Sequence, residues 1–269
     1  MGHGRPDPKP STVSLLEGAV LFLAGLAGGT INAVVGSGSL ITFPTLVALG
    51  YPPVLANVSN NIGMVPGGLA GTWGCRKDLV NQRGRLAALA AMSALGGLSG
   101  ALLLLVLPPE TFRTVVPILL GLSVGLVVMQ PAIQRSVALR RSRAVQGARP
   151  STPLGARVGV ALAGTYGGYF GGAQGVLLIG VLGGLLPESL HRINALKNAL
   201  ATCVNACAAV VFLAVAREQV DWRLVVLIAA GSACGGLIGA RVGRALSQRM
   251  LRAVVVVVGL SAIAVFVRS

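Results

Sequence analysis

The chain has 269 residues, 54% of them hydrophobic and 11% charged, with a mean hydropathy of +0.80. That composition excludes an ordinary soluble domain and points to a polytopic membrane protein. The net charge of +15 does not imply nucleic acid, because Lys and Arg fall in short runs between apolar segments and aromatics are only 4% of residues.

Residues 1–13 are polar and Pro-rich and are read as a disordered tail. No cleavable leader is read there, because the apolar run that follows is too long. Helix-length apolar runs fall near 14–35, 54–74, 86–107, 111–133, 157–179, 193–216, 223–246 and 250–267, which predicts an all-α fold with about eight transmembrane helices. The first is interrupted at Gly36-Ser37-Gly38-Ser39 and the fifth at Gly171-Gly172-Ala173-Gln174-Gly175. Each break is followed by a short apolar piece, 39–49 or 176–186, that reaches only about 20 Å and is read as broken or re-entrant. In hydrocarbon an unsatisfied backbone group costs several kcal/mol, so such breaks belong where protein or a water-filled cavity surrounds them. There, half-helix N-termini offer N–H groups to an anion.

Between the fourth and fifth runs lie Arg135, Arg140, Arg141, Arg143, Arg149 and Arg157 with no acidic residue. This stretch, 135–156, is read as a cytoplasmic linker between two membrane halves, 14–134 and 157–268. A shift of 139 pairs Ala24, Gly25, Gly28, Gly29 and Gly36 with Ala163, Gly164, Gly167, Gly168 and Gly175, and pairs Gly96, Gly97 and Gly100 with Gly235, Gly236 and Gly239. A shift of 137 pairs Asn57 and Asn61 with Asn194 and Asn198. The loops at 76–85 and 241–252 are basic and read as inside, while 217–223 is balanced and reads as outside. Corresponding loops of the two halves thus take opposite sides, which predicts two inverted repeats.

No cluster of His, Cys, Asp and Glu has metal-ligand spacing, and no nucleophile elbow or phosphate loop occurs, so neither an enzyme, a metal nor a cofactor is expected. Cys203 and Cys207 share a helix face and are read as small packing residues rather than a disulfide or thiol centre. No acidic residue is centred in a span, which argues against a carboxylate proton relay. One cation does lie deep: Lys197, about a turn past Asn194 and beside Asn198, whose first-half counterpart is Asn60. It is read either as counter-charge for an anionic solute or as an entrance residue that snorkels to water. The amides Asn57, Asn61, Asn194 and Asn198 are read as donors to that solute, against the plainer readings of helix caps and packing glue. Gly36, Ser37, Gly38, Ser39, Thr42, Gly172, Gln174 and Gly175 complete the candidate lining.

The stretch AGLAGGTINAVVGSGSLITFPTLVALG, the helices ANVSNNIG and INALKNALATCVN, and the segments GTYGGYFGGAQGVLLIGVL and GGLIGARVGRALS resemble the sulfite exporter TauE/SafE family, also called the toluene sulfonate uptake permease family. The likeness runs from about residue 15 to 267. It implies a multi-pass permease of the cytoplasmic membrane, with two homologous halves, moving sulfite, sulfonates or related organic anions. The first break has GSGS where many relatives are richer in Gly, and the Arg-rich linker is this chain's own. The expected partners are a small anionic solute and lipid, with assembly into a homo-oligomer left open. The rival readings are an anion channel, which shares these features, and a membrane-embedded thiol enzyme or maturation factor.

Overall fold

The computed structural model describes residues 13–80, 82–143, 152–243 and 245–268. The tail at 1–12 and the linker centre at 144–151 lie outside them. Every element is helical: α1 (Leu15–Val34), α2 (Ser39–Ala48), α3 (Pro53–Gly74), α4 (Arg83–Val106), α5 (Pro109–Arg143), α6 (Leu154–Tyr169), α7 (Gln174–Leu185), α8 (Leu190–Val215), α9 (Trp222–Val242) and α10 (Gln248–Arg268), with 3-10 turns at Arg76–Leu79 and Arg217–Gln219. Local chemistry starts several of them. Ser14, Ser189 and Asp221 accept from the backbone N–H of Glu17, Arg192 and Arg223, and Pro53 opens α3, where its missing N–H costs nothing.

Five described helices are long and apolar enough to cross a membrane, namely α1, α4, α5 as far as Leu139, α8 and α9. This makes the chain a multi-pass membrane protein. The run 157–179 is interrupted where the sequence predicts a break, since α6 stops at Tyr169 and α7 starts at Gln174. The cause is backbone geometry: Gly171 and Ala173 both have positive φ, +81° and +56°. The first break is alike, with Gly36 at φ +88°. In both, the left-handed glycine donates its N–H back five residues, Gly36 to Ile31 O (3.1 Å) and Gly171 to Tyr166 O (3.2 Å), and so closes the helix end. The segment expected as linker is helical in its first part, because α5 continues through Arg143.

The two sets of five helices exchange partners. α1 packs on α9 and α6 on α4; α3 packs on α9 and α8 on α4; α2 meets α10 and α7 meets α5; α3 and α8 face each other. Small residues allow the close crossings. A Cβ on Gly231, Gly235 or Gly239 of α9 would strike the carbonyl oxygen of Phe22, Leu26 or Thr30, and one on Gly96 or Gly100 of α4 would strike that of Ala161 or Thr165. These contacts also correct the register read from sequence. Thr30 corresponds to Thr165, and Gly29, which meets Ser232 O, corresponds to Gly164, which meets Ser93 O. The shift for α1 and α6 is therefore 135, one helical turn less than the 139 that relates α4 to α9. Gly36 consequently corresponds to Gly171 and not to Gly175.

Candidate functional site

The last carbonyls of a helix have no intrahelical donor, so a helix that ends inside the protein must find donors elsewhere. At the end of α1 they come from α8 and α5. Lys197 Nζ donates to Asn32 O (2.9 Å) and Ala33 O (3.2 Å), Asn194 and Asn198 Nδ2 each approach Ala33 O at 3.4 Å, and Gln130 Nε2 donates to Val35 O (3.1 Å). At the end of α6 they come from α3 and α5. Asn57 Nδ2 donates to Tyr169 O (2.9 Å), and Ser123 Oγ donates to Gly172 O (3.1 Å) while also bonding the Tyr166 hydroxyl (2.5 Å). Each broken helix is thus finished by side chains from other helices: α8 and α5 for α1, and α3 and α5 for α6.

Two plainer readings are corrected by this geometry. Asn57 and Asn194 are not caps, since Pro52 and Ser189 hold those positions and both amides sit inside their helices. Lys197 does not snorkel; it is 1% exposed, and its head points at backbone carbonyls. Asn60 is also buried and accepts from the Thr42 hydroxyl.

The two breaks touch. Gly175 N–H donates to Gly36 O (3.0 Å), and a Cβ on Gly36 would lie 2.7 Å from Gly175 Cα. The Lys197 stem packs against both glycines, with Cδ 3.2 Å and 3.0 Å from where their Cβ atoms would be. Ser39 Oγ lies 3.5 Å from the Cβ position of Gly171, so the start of α2 faces the second break. A Cβ on Gly38 would run into Asn32 and Met64, and one on Gly172 into Ser123 and Phe170. Beside this junction the buried donors Ser37 Oγ and Gln174 Nε2 have no partner, and neither does Asn61 Oδ1, a buried acceptor on α3. Such groups cost about 1–3 kcal/mol each when left dry and unpaired, which is a reason to seek a ligand for them.

A cavity of about 280 Å³ approaches the junction. Its walls include Ala33, Cys75, Asp78, His191, Asn194 and Gln248. Lys197 and Asn198 lie buried on the same helix beyond Asn194. Near the start of α8, Glu188 bonds Arg85 of α4 and Arg192 (3.1 Å). Burial works against the Glu188 carboxylate, but the two guanidinium groups outweigh it and hold its pKa below the usual range.

Ser123, Gln130 and Tyr166 are absent from the residues picked out by sequence. Ser123 and Gln130 were findable, since they are polar, seven apart and hence on one face of an otherwise apolar stretch. Among the described residues the cysteines form no disulfide, and Cys203 donates weakly to Ala90 O (3.6 Å). Among the described residues no group of three or more His, Cys, Asp or Glu is placed to hold a metal.

A family profile described as "Sulfite exporter TauE/SafE" matches residues 21–266. The chain is 27% identical over 248 residues to the "Probable membrane transporter protein YfcA" of Escherichia coli (strain K12), covering 91% of this chain and 88% of that one. It is 28% identical over 242 residues to a "Probable membrane transporter protein" of Haemophilus influenzae, covering 89% and 90%. A "Probable membrane transporter protein ORF9" of Sinorhizobium sp is 26% identical over 244 residues, covering 90% and 89%. No solved structure matches the chain.

Proposed function

The chain belongs to the sulfite exporter TauE/SafE family of membrane transporters, and from that premise we propose that it is a secondary permease of the cytoplasmic membrane for a small anion, a sulfite, sulfonate or related organic anion. Solute binds where the two breaks meet, between two inverted halves of about four spans each, 14–134 and 157–268. The observation that carries this reading is the contact of Gly36 with Gly175, flanked in sequence by the unpartnered donors Ser37 Oγ and Gln174 Nε2. An oxyanion suits such a place, because amide and hydroxyl donors and first-turn N–H groups can satisfy it without a ring of positive charge.

In this mechanism the solute enters through the cavity lined by Ala33 and Asn194. Its walls come from the basic-loop face, which the positive-inside rule assigns to the cytoplasm. Ser37, Ser39, Asn61 and Gln174 contact the solute. Asn57, Asn60, Asn194, Lys197 and Asn198 hold the ends of the breaks in position. Rocking of one half against the other moves access to the opposite face. For export, an inside-negative potential supplies about 2.3 kcal/mol per charge per 100 mV, so no carboxylate relay is required. A channel is the competing account, and counterflow separates the two.

The test is tracer flux of sulfite and a small alkylsulfonate in proteoliposomes under an imposed potential. Saturable flux with counterflow, accelerated when the potential drives anion movement, is expected. Flux indifferent to potential, or linear in solute without counterflow, overturns the proposed mechanism.

A further inference from the structure

Lys197 is the one charged residue in the buried class among the described residues, and its ammonium faces no carboxylate. An ammonium has three N–H donors and no acceptor, and here two of them go to Asn32 O and Ala33 O, at the end of α1. That end carries the negative pole of the helix dipole, equivalent to roughly half an elementary charge. In many transporters the carbonyl end of a broken helix is where a free coupling cation sits.

We infer that Lys197 is a covalently tethered substitute for such a cation: its ammonium fills the carbonyl cage at the end of α1, and the protein therefore needs no soluble sodium or potassium ion to organise the site. The side chain is fitted to that task. Its stem lies across Gly36 and Gly175, the only residue type that leaves room for it at both places, while its head bonds the carbonyls of Asn32 and Ala33. Asn194 and Asn198 share Ala33 O with it, so the cage has amide donors as well as the charge. The counterpart position in the first half is Asn60, which is neutral and accepts from Thr42. One tethered cation thus serves the whole junction.

The inference rests on the proposed transport role for its flux arm only; the cage itself is tested without transport. Lys197→Ala removes a three-carbon amine beyond Cβ, which n-propylammonium replaces and n-propanol imitates without charge. In purified full-length protein, n-propylammonium at ten times its Kd raises the melting temperature of Lys197→Ala by about 3–5 °C, n-propanol does not, and neither moves wild type. Lys197→Met keeps the stem and fills the space, so it stays folded, loses most of its flux and gains nothing from n-propylammonium. Wild-type anion flux is unchanged when choline replaces sodium and potassium. A folded Lys197→Ala protein that ignores n-propylammonium, full flux in Lys197→Met, or wild-type flux that requires sodium or potassium overturns the inference. Specific stabilisation by n-propylammonium in a protein that moves no anion leaves the cage standing and removes the transport reading instead.

Discussion

Gly36→Ala is the sharpest perturbation of the junction. Two costs add at this position. The backbone is at φ +88°, where an L side chain is strained by about 1–2 kcal/mol. The new methyl would also lie 2.7 Å from Gly175 Cα, 2.9 Å from its carbonyl carbon and 3.2 Å from Lys197 Cδ. Two of those neighbours are backbone, so the clash is relieved only by parting the breaks, an overpacking cost of about 1–3 kcal/mol. The sum is about 2–5 kcal/mol, or a fall of about 6–15 °C in melting temperature at ~3 °C per kcal/mol. Gly121→Ala is the control, because nothing lies within 4 Å of its Cβ position; it is expected to hold or slightly raise stability. Thermal melts of the detergent-purified proteins read the difference, and flux should fall in Gly36→Ala alone. A Gly36→Ala protein that melts with wild type and transports normally refutes the close approach of the breaks.

Asn57→Ala leaves Tyr169 O buried without its donor, at a cost of about 1–3 kcal/mol, and a melt should show the loss. Gln174→Leu removes an unpartnered buried amide, so it should raise the melting temperature while abolishing anion flux; a variant that is less stable and fully active contradicts the lining role. The Glu188 pKa is depressed in the folded state, so its contribution is present above the unfolded carboxylate pKa and is lost as pH falls through the folded value. The melting temperature of wild type should therefore drop more steeply at acid pH, below about 4, than that of Glu188→Gln, and parallel curves would count against this. Ser123→Ala frees Gly172 O and the Tyr166 hydroxyl together, and should reduce flux more than the melting temperature.

Much of the fold was legible because its irregularities are written in residue type. GSGS and GGAQG interrupt apolar runs too long to be loops, and the structure breaks the helices there. After the first, the long-helix starts are expected up to three residues late; at α8 this is because Leu190, His191 and Arg192 look like loop until Ser189 is seen capping the turn. The register of the repeat was misread for a similar reason. Gly28-Gly29 and Gly167-Gly168 align by identity, yet the pair that packs like Gly28-Gly29 is Ala163-Gly164, because a close helix crossing asks only for small residues. The donors at each break come from helices distant in sequence, and only packing brings Asn57 to Tyr169 O or Lys197 to Asn32 O. Ser123 and Gln130 carry a periodic signal on α5, seven residues apart, but nothing in the sequence ties α5 to the breaks.

The most direct measurement is equilibrium binding of sulfite and a small alkylsulfonate to the purified protein, by titration calorimetry, in wild type and in Ser37→Val and Gln174→Leu. Binding of at least one of these anions at one site per chain in wild type, lost or greatly weakened in both variants, is what a site between the breaks requires. No binding of either anion to wild type, or equal binding by all three proteins, contradicts it.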